Sequence, residues 1–406
     1  MERRSNNEIL RAARLGIEAI AAQVRQNETR PGVRELAEHL IMSDDRQVPE
    51  HLRYPYTFPD HPGHRDFMAT VRDGAIFRLW ARAKVVYAMD DLLLHYLSQS
   101  SASAIPTQIM QSLPHANPYV LLPKPDLDDE QTAYYRSHIG VPWGAFVFGR
   151  YHDAEQLCST RDERREDLGL MFVGFLETES GPVLQTIRCT IPLRQSTITV
   201  EDAVNATIGK FIFTEDLAED DRRKLEAWLR TYVAQVFNSL IYVCTDQPDI
   251  EVFRPGVNRR GKAKKRQRRQ QRRPRLSDID ALVQLGFRMG PALHEARERW
   301  EREQAHQRTR TNGKGAAKRP HQKRGHYRTY WTGRGRQVAR VRWIAPFWVN
   351  QDLLGDEGGP KDVVVRPVRK RSLLLPGAAW FSEWPAGQAA MPPERLLPEY
   401  CRLLVI

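Results

Sequence analysis

The chain has 406 residues, 41% of them hydrophobic, with 62 Lys and Arg against 50 Asp and Glu and a formal net charge of +12. That length is a soft prior for two or three domains, since single cores stop growing near ~250–300 residues, and the apolar content excludes a disordered polycation. Two acid-free segments carry the charge, eleven Lys and Arg within 257–275 and twelve within 304–351, which leaves an acidic body of net −11.

The opening residues Met1 to Leu10 lack the apolar stretch of a signal peptide. From Ser5 onward Ile9, Leu10, Ala13, Ile17, Ile20, Ala21 and Val24 recur at three- and four-residue steps, the spacing of one helical face. Pro31-Gly32 punctuates, Val33 to Met42 reads as a short helix, and a Pro/His-rich loop follows from His51 to His64. Phe67 to Leu97 is a long helical candidate with Met68, Val71, Ala75, Leu79, Val86 and Leu93 on its face. Asp90 and Asp91 fall on it as neighbours, and adjacent helical positions diverge too far to chelate together, so a solvated helix edge is expected.

Prolines at 106, 114, 118, 123 and 125 then exclude long regular elements. The period changes to that of strands at Trp143–Gly149, Gly169–Glu177, Pro182–Pro192 and Thr197–Val200, with Ala206–Phe213 a further candidate. The second and third are apolar enough to be central in a sheet. The longest apolar stretch, Leu168 to Leu176, is far short of the ~20 residues of a membrane helix. Helical spacing returns from Ala218 to Cys244 through Leu225, Trp228, Leu229, Tyr232, Val236, Leu240 and Ile241. Helices, then strands, then a helix imply an α+β fold: a helical N-terminal part, a central mostly antiparallel sheet, and a C-terminal helix plus hairpin. Cys158, Cys189, Cys244 and Cys401 are too dispersed for a disulfide framework or a paired-cysteine zinc site. No metal and no cofactor is therefore expected, and a reducing cytosol without membrane contact is the simplest setting.

Asn258 to Arg275 has almost no apolar residues. It reads as a solvated insertion, as a polyanion contact through counterion release, or as both. Arg259, Arg260, Lys264, Lys265, Arg266, Arg268 and Arg269 are its candidate nucleic-acid contacts. Ser277 is a candidate N-cap for a helix from Asp278 to Glu303, and a polar linker follows from Arg308 to Pro320. The organisation expected is a helical region over 1–125, an α+β region over 126–256, the basic insertion over 257–276, and a helix with a hairpin over 277–406.

The most informative segment, His321 to Asn350, interleaves Lys and Arg with Tyr327, Tyr330, Trp331, Trp343, Phe347 and Trp348. His326 to Thr332 and the alternating Val338 to Ile344 flank Gly333-Arg334-Gly335, a turn signal, so a β-hairpin is expected. Ala339, Val341 and Trp343 share one face of its second strand, with Arg340 and Arg342 on the other. On the first strand His326, Arg328 and Tyr330 lie opposite Tyr327, Thr329 and Trp331. Basic and aromatic side chains together suit RNA, with rings stacking on unpaired bases and cations holding phosphates. Lys323, Arg324, Arg328, Tyr330, Arg340 and Arg342 are the candidate contacts here. The competing reading makes Trp331, Trp343 and Phe347 the hairpin's core and the arginines its wet face. His321 and His326, with Arg324 and Tyr327, could cleave RNA without a metal, but no acid lies in the segment to serve beside them. No catalytic residue is assigned.

The pattern of His321, Lys323, Arg324, His326, Tyr327, Tyr330, Trp331, Gly333, Trp343, Ile344, Pro346, Val349 and Asn350 resembles a type V-A anti-CRISPR family found on phages and plasmids. Leu113-Pro114 with Asn117-Pro118, and Asn238 to Cys244 followed by Pro248-Asp249-Ile250, fit the same family less specifically. The resemblance implies an inhibitor that lowers production of the type V-A effector nuclease by recognising its nascent N-terminal peptide, with loss of its mRNA. The implied partners are that peptide and mRNA or ribosome-associated RNA. It assigns no peptide-binding residues and leaves the oligomeric state open. A metal-independent ribonuclease and a plasmid-borne RNA-binding regulator without a CRISPR role are the other readings.

Overall fold

Ser5 starts the first helix in the computed structural model, which describes residues 5–42, 63–100, 105–123, 141–151, 157–179, 181–193, 199–211, 219–255, 278–308, 321–323, 325–336 and 338–349. The Ser5 hydroxyl accepts the Glu8 N–H at 3.3 Å, and the Glu8 carboxylate accepts the Ser5 N–H at 2.6 Å, a reciprocal cap on α1 (Asn6–Asn27). Leu10, Ala13, Ile17, Ile20, Ala21 and Val24 are buried on the face their spacing implies. Helix α2 (Val33–Met42) packs on α3 (His64–Ala83), and Arg78 of α3 reaches Glu28 at 3.1 Å and Glu38 at 3.2 Å.

The expected helix from Phe67 to Leu97 does not form as one element. Lys84 adopts a left-handed backbone (φ 50°) and ends α3, the chain continues as β1 (Val85–Met89), and α4 (Asp91–Ser98) resumes after Asp90. The cause is tertiary: β1 pairs in parallel with β2 (Tyr119–Leu121) on one side and β8 (Ala281–Leu285) on the other. Val85, Val86 and Tyr87 suit a pleated, paired position better than a helix interior. Asp90 is an N-cap rather than a solvated edge, accepting the Leu92 and Leu93 N–H groups at 3.1 Å each.

The strands expected in the middle of the chain fall within β3 (Val141–Arg150), β5 (Asp167–Thr178) and β6 (Gly181–Pro192); β4 (Leu157–Cys158) pairs with β3. With β7 (Ile250–Phe253) the sheet runs β6-β5-β3-β2-β1-β8-β7, parallel only across β2-β1-β8. The architecture is therefore α+β with a mostly antiparallel sheet. Among the described residues β6 pairs only with β5, so it is an edge strand rather than a central one, and its Val183 is 49% exposed. Its apolar content serves one inner face, where Cys189 and Ile191 are buried.

Other expectations shift for identifiable reasons. Ala206 to Phe211 is helical, within α5 (Val200–Phe211), and Val200 begins that helix instead of ending a strand. Thr199 caps it, exchanging hydrogen bonds with Asp202 at 3.2 Å in both directions, and forms only an isolated bridge to Pro106. Helix α6 (Glu219–Val243) matches its spacing. The helix expected over Asp278–Glu303 gives its first turns to β8; Gly286 (φ 78°) turns the chain into α7 (Met289–Arg308). Ser277, Asn258–Arg275 and 309–320 lie outside the described residues.

Period-two alternation divides the strands between two cores. Val85 and Tyr87, Ala145 and Val147, and Leu168, Leu170 and Phe172 face α4, α6 and the C-terminal hairpin. Val86 and Ala88, Phe146 and Phe148, and Met171 and Val173 face α1, α2 and α3. No helix among the described residues is long and apolar enough to cross a membrane.

Candidate functional site

The hairpin forms as its sequence implies. Strands β10 (His326–Thr332) and β11 (Val338–Ile344) pair antiparallel, and the turn after β10 puts Gly333 and Gly335 at φ of 81° and 72°. Register places Tyr327 against Trp343, Thr329 against Val341 and Trp331 against Ala339 on the inner face. Val341 and Trp343 are buried in the core shared with α4 and α6, which roots the hairpin. The Trp343 indole N–H donates to Ser100 Oγ at 3.2 Å and its ring meets Tyr242 edge-on at 6.1 Å. Ser100 Oγ lies 2.8 Å from the Gly325 carbonyl, and a Cβ at Gly325 would stand 2.9 Å from the Trp343 ring. Towards the turn this face opens, and Trp331 is 47% exposed. The two readings of the aromatics therefore divide: Trp343 is core, Trp331 is surface.

The outer face carries His326, Arg328 and Tyr330 from β10 and Arg340 and Arg342 from β11, all exposed. Arg328 stands directly opposite Arg342, and Tyr330 opposite Arg340. The Arg328 guanidinium lies over the Tyr330 ring, 5.1 Å from its centroid, and Arg340 is 3.7 Å from Asp246. Lys323 is exposed on β9 (His321–Lys323), which pairs with β12 (Phe347–Val349).

The residues of the RNA-cleavage reading are not gathered on one described surface. His326 points out while Tyr327 points in, its hydroxyl buried without a hydrogen-bond partner among the described residues. Burial and the nearby Tyr242 push the Tyr327 phenol well above its usual range. His321 belongs to β9 but its side chain, like Arg324, lies outside the described residues, as do Arg259, Arg260, Lys264, Lys265, Arg266, Arg268 and Arg269.

A second site escaped the sequence because five separate segments build it. The carboxyl ends of the parallel strands β1, β2 and β8 open on a cleft lined by Ile9, Met89, Leu121, Leu122, Leu285 and Phe287, with Asp90, Asp91, Gln284 and His294 among its polar groups. Ligands gather at such strand ends because the loops diverge there. The cavity of about 60 Å³ has room for a few waters or one side chain, since a single water needs about 10–15 Å³ on this measure. Asp90 Oδ1 lies 3.7 Å from His294 Nε2. Gln284 is 6% exposed; its amide N–H donates to Asn6 Oδ1 at 2.6 Å, but its Oε1 is buried without a partner among the described residues. The one signal in the sequence was the Asp90-Asp91 pair. No group of three or more His, Cys, Asp or Glu among the described residues could hold a metal.

The weaker motifs have structural roles. Asp249 Oδ2 accepts the Arg288 and Met289 N–H groups at 2.6 and 2.7 Å, holding the start of α7, while Tyr242 Oη accepts the Asp249 N–H at 3.1 Å. Asn117 (φ 45°) donates its N–H to Thr160 Oγ1 at 2.8 Å. Close by in sequence, His115 Nδ1 and the Tyr87 hydroxyl are 2.9 Å apart.

No curated protein matches the chain. A solved structure described as the crystal structure of AcrVA2 is 16% identical, covering 82% of this chain and 97% of its own, with a TM-score of 0.44. The model of the AcrVA2-like family, anti-CRISPR type V subtype A2, matches residues 87–351, from β1 through the cleft strands and the hairpin. That match spans well over half of the sequence, and the chain belongs to the AcrVA2-like anti-CRISPR family.

Proposed function

We propose that this chain lowers production of a type V-A CRISPR effector nuclease by recognising the effector's nascent N-terminal peptide, with loss of the mRNA being translated. Family membership supports the anti-CRISPR role. The observation that carries the peptide reading is the cleft. Its apolar walls surround Asp90 and Asp91. Such a site favours a ligand that brings hydrogen-bond donors beside an apolar side chain, as a short peptide does. A cavity of about 60 Å³ has room for one side chain of such a peptide.

The test is a reporter carrying the effector's N-terminal codons, compared with a synonymously recoded version and with a frameshifted version that keeps the nucleotides. Message loss should follow the peptide and persist on recoding. It should weaken when Ile9 at the cleft wall is replaced by Lys, in a variant that melts like the parent. Loss that follows nucleotide rather than peptide sequence would overturn the proposal.

A further inference from the structure

We infer that the outer face of the β10–β11 hairpin is a binding surface for an unpaired nucleic-acid strand, with Arg328 and Arg342 holding a phosphate and Tyr330 stacking on a base. The register is the first argument. Arg328 and Arg342 are directly opposed across an antiparallel pair, a placement that brings like charges within about 5 Å at Cβ and disfavours the isolated hairpin. Neither has a carboxylate partner among the described residues, so no described group neutralises the pair. A phosphate between the two guanidiniums would convert that repulsion into two charge-assisted hydrogen-bond sites.

The second argument is the aromatic beside the pair. Tyr330 is two residues along the same face from Arg328, and the guanidinium already covers one side of its ring. Tyr330 is 37% exposed, and base–aromatic stacking on such a ring tolerates any base. Continuing outward, Arg340 faces Tyr330 from the other strand, so Arg328 and Arg340 put a cation beside the ring on both strands. Trp331, exposed on the opposite face near the turn, gives a second ring to a strand that wraps the tip. A duplex would offer this face phosphates but no free base, and an acidic protein surface would leave the ring unused. Exposed rings interleaved with opposed cations are complementary to a single strand.

The rigidity of the hairpin's root matters as much as its chemistry. Val341 and Trp343 are buried, and the Asp246 N–H donates to the Val341 carbonyl at 2.9 Å. The outer face is therefore presented on a fixed ribbon. This inference does not rest on peptide recognition at the cleft, and either can fail alone.

Fluorescence anisotropy of a labelled 12-nucleotide single-stranded RNA with the full chain, across a potassium chloride series, tests it. Arg328→Ala with Arg342→Ala should weaken binding at least tenfold and flatten the log K against log salt slope by about 0.7, the share of the one phosphate that is no longer neutralised on a single strand. Tyr330→Ala should weaken binding about five- to a hundredfold, and Tyr330→Phe should restore it, because stacking needs the ring and not the hydroxyl. Single-stranded DNA should bind similarly, while duplex DNA should show no dependence on Tyr330. Each variant must keep the parent melting temperature. The inference is overturned if the RNA does not bind, if binding is lost only on deleting 257–275, or if Tyr330→Ala leaves the affinity unchanged.

Discussion

Replacing Tyr327 with Phe separates the structural and chemical roles of a residue in the RNA-cleavage reading. Its ring is half-buried against the core beneath the hairpin, and its hydroxyl is wholly buried with no hydrogen-bond partner among the described residues. A buried polar group left unpaired costs about 1–3 kcal/mol, and the Phe ring keeps the packing. Tyr327→Phe is therefore expected to stabilise the chain by about 1–2 kcal/mol. For an ordered body of about 250 residues, the unfolding entropy is roughly 0.5 kcal/mol per kelvin, so the melting temperature should rise by about 2–4 °C. Thermal melts with urea titrations measure this directly. A loss of stability of about 1 kcal/mol or more would show that the hydroxyl has a partner and refute the reasoning. The same variant, incubated with RNA with and without EDTA, should match the parent. Abolition of a cleavage activity present in the parent would make the phenol part of a catalytic site.

Further outcomes follow from other local geometries. Asp249→Ala removes the acceptor of two short bonds at the start of α7 and should cost about 1–2 kcal/mol by urea denaturation. Gly286→Ala meets both a left-handed backbone (φ 78°) and the Leu93 side chain, which stands where the new Cβ must go, and should cost on the order of 2–4 kcal/mol. His115 is held below the ordinary imidazole range by burial and then by Arg161 and Arg254. The unfolded chain therefore takes up the proton first: stability from this group is whole above about pH 6.5 and falls as pH drops through the folded value. Urea midpoints from pH 7.5 to 5 should fall in the parent and fall less in His115→Gln. Burial pushes the Cys189 thiol up to about 12, so it should resist thiol reagents at pH 8 until the chain is unfolded.

The hairpin was legible because three local signals agreed: a glycine turn, period-two alternation, and aromatic and β-branched residues on both sides. Helices α1 and α6 were legible for the same reason at a period of 3.6. What failed were the short apolar runs. Val85–Met89 and Ala281–Leu285 are five residues each, too short for periodicity to separate strand from buried helix, and each is a strand because the other lies beside it. Ala206–Phe211 erred the opposite way, since its residues suit a strand but Thr199 and Asp202 had already started a helix. The cleft could not be read at all. Its walls come from α1, β1, β2, β8 and α7, and only the parallel register of β2-β1-β8 brings their ends together.

That same register has a consequence for how the chain is made. The partner of strand β1 on one side, β2, lies about thirty residues ahead in the chain, but the other edge of β1 needs Ala281–Leu285, about two hundred residues later. At roughly 5–20 residues per second that interval lasts about 10–40 s. Throughout it Val85–Met89 presents an open line of backbone donors and acceptors, the template for unwanted strand addition. Premature termination before residue 281 should therefore yield products that aggregate rather than folded fragments. A protein proposed to watch the first residues of another nascent chain cannot close its own central sheet until most of its message has been read.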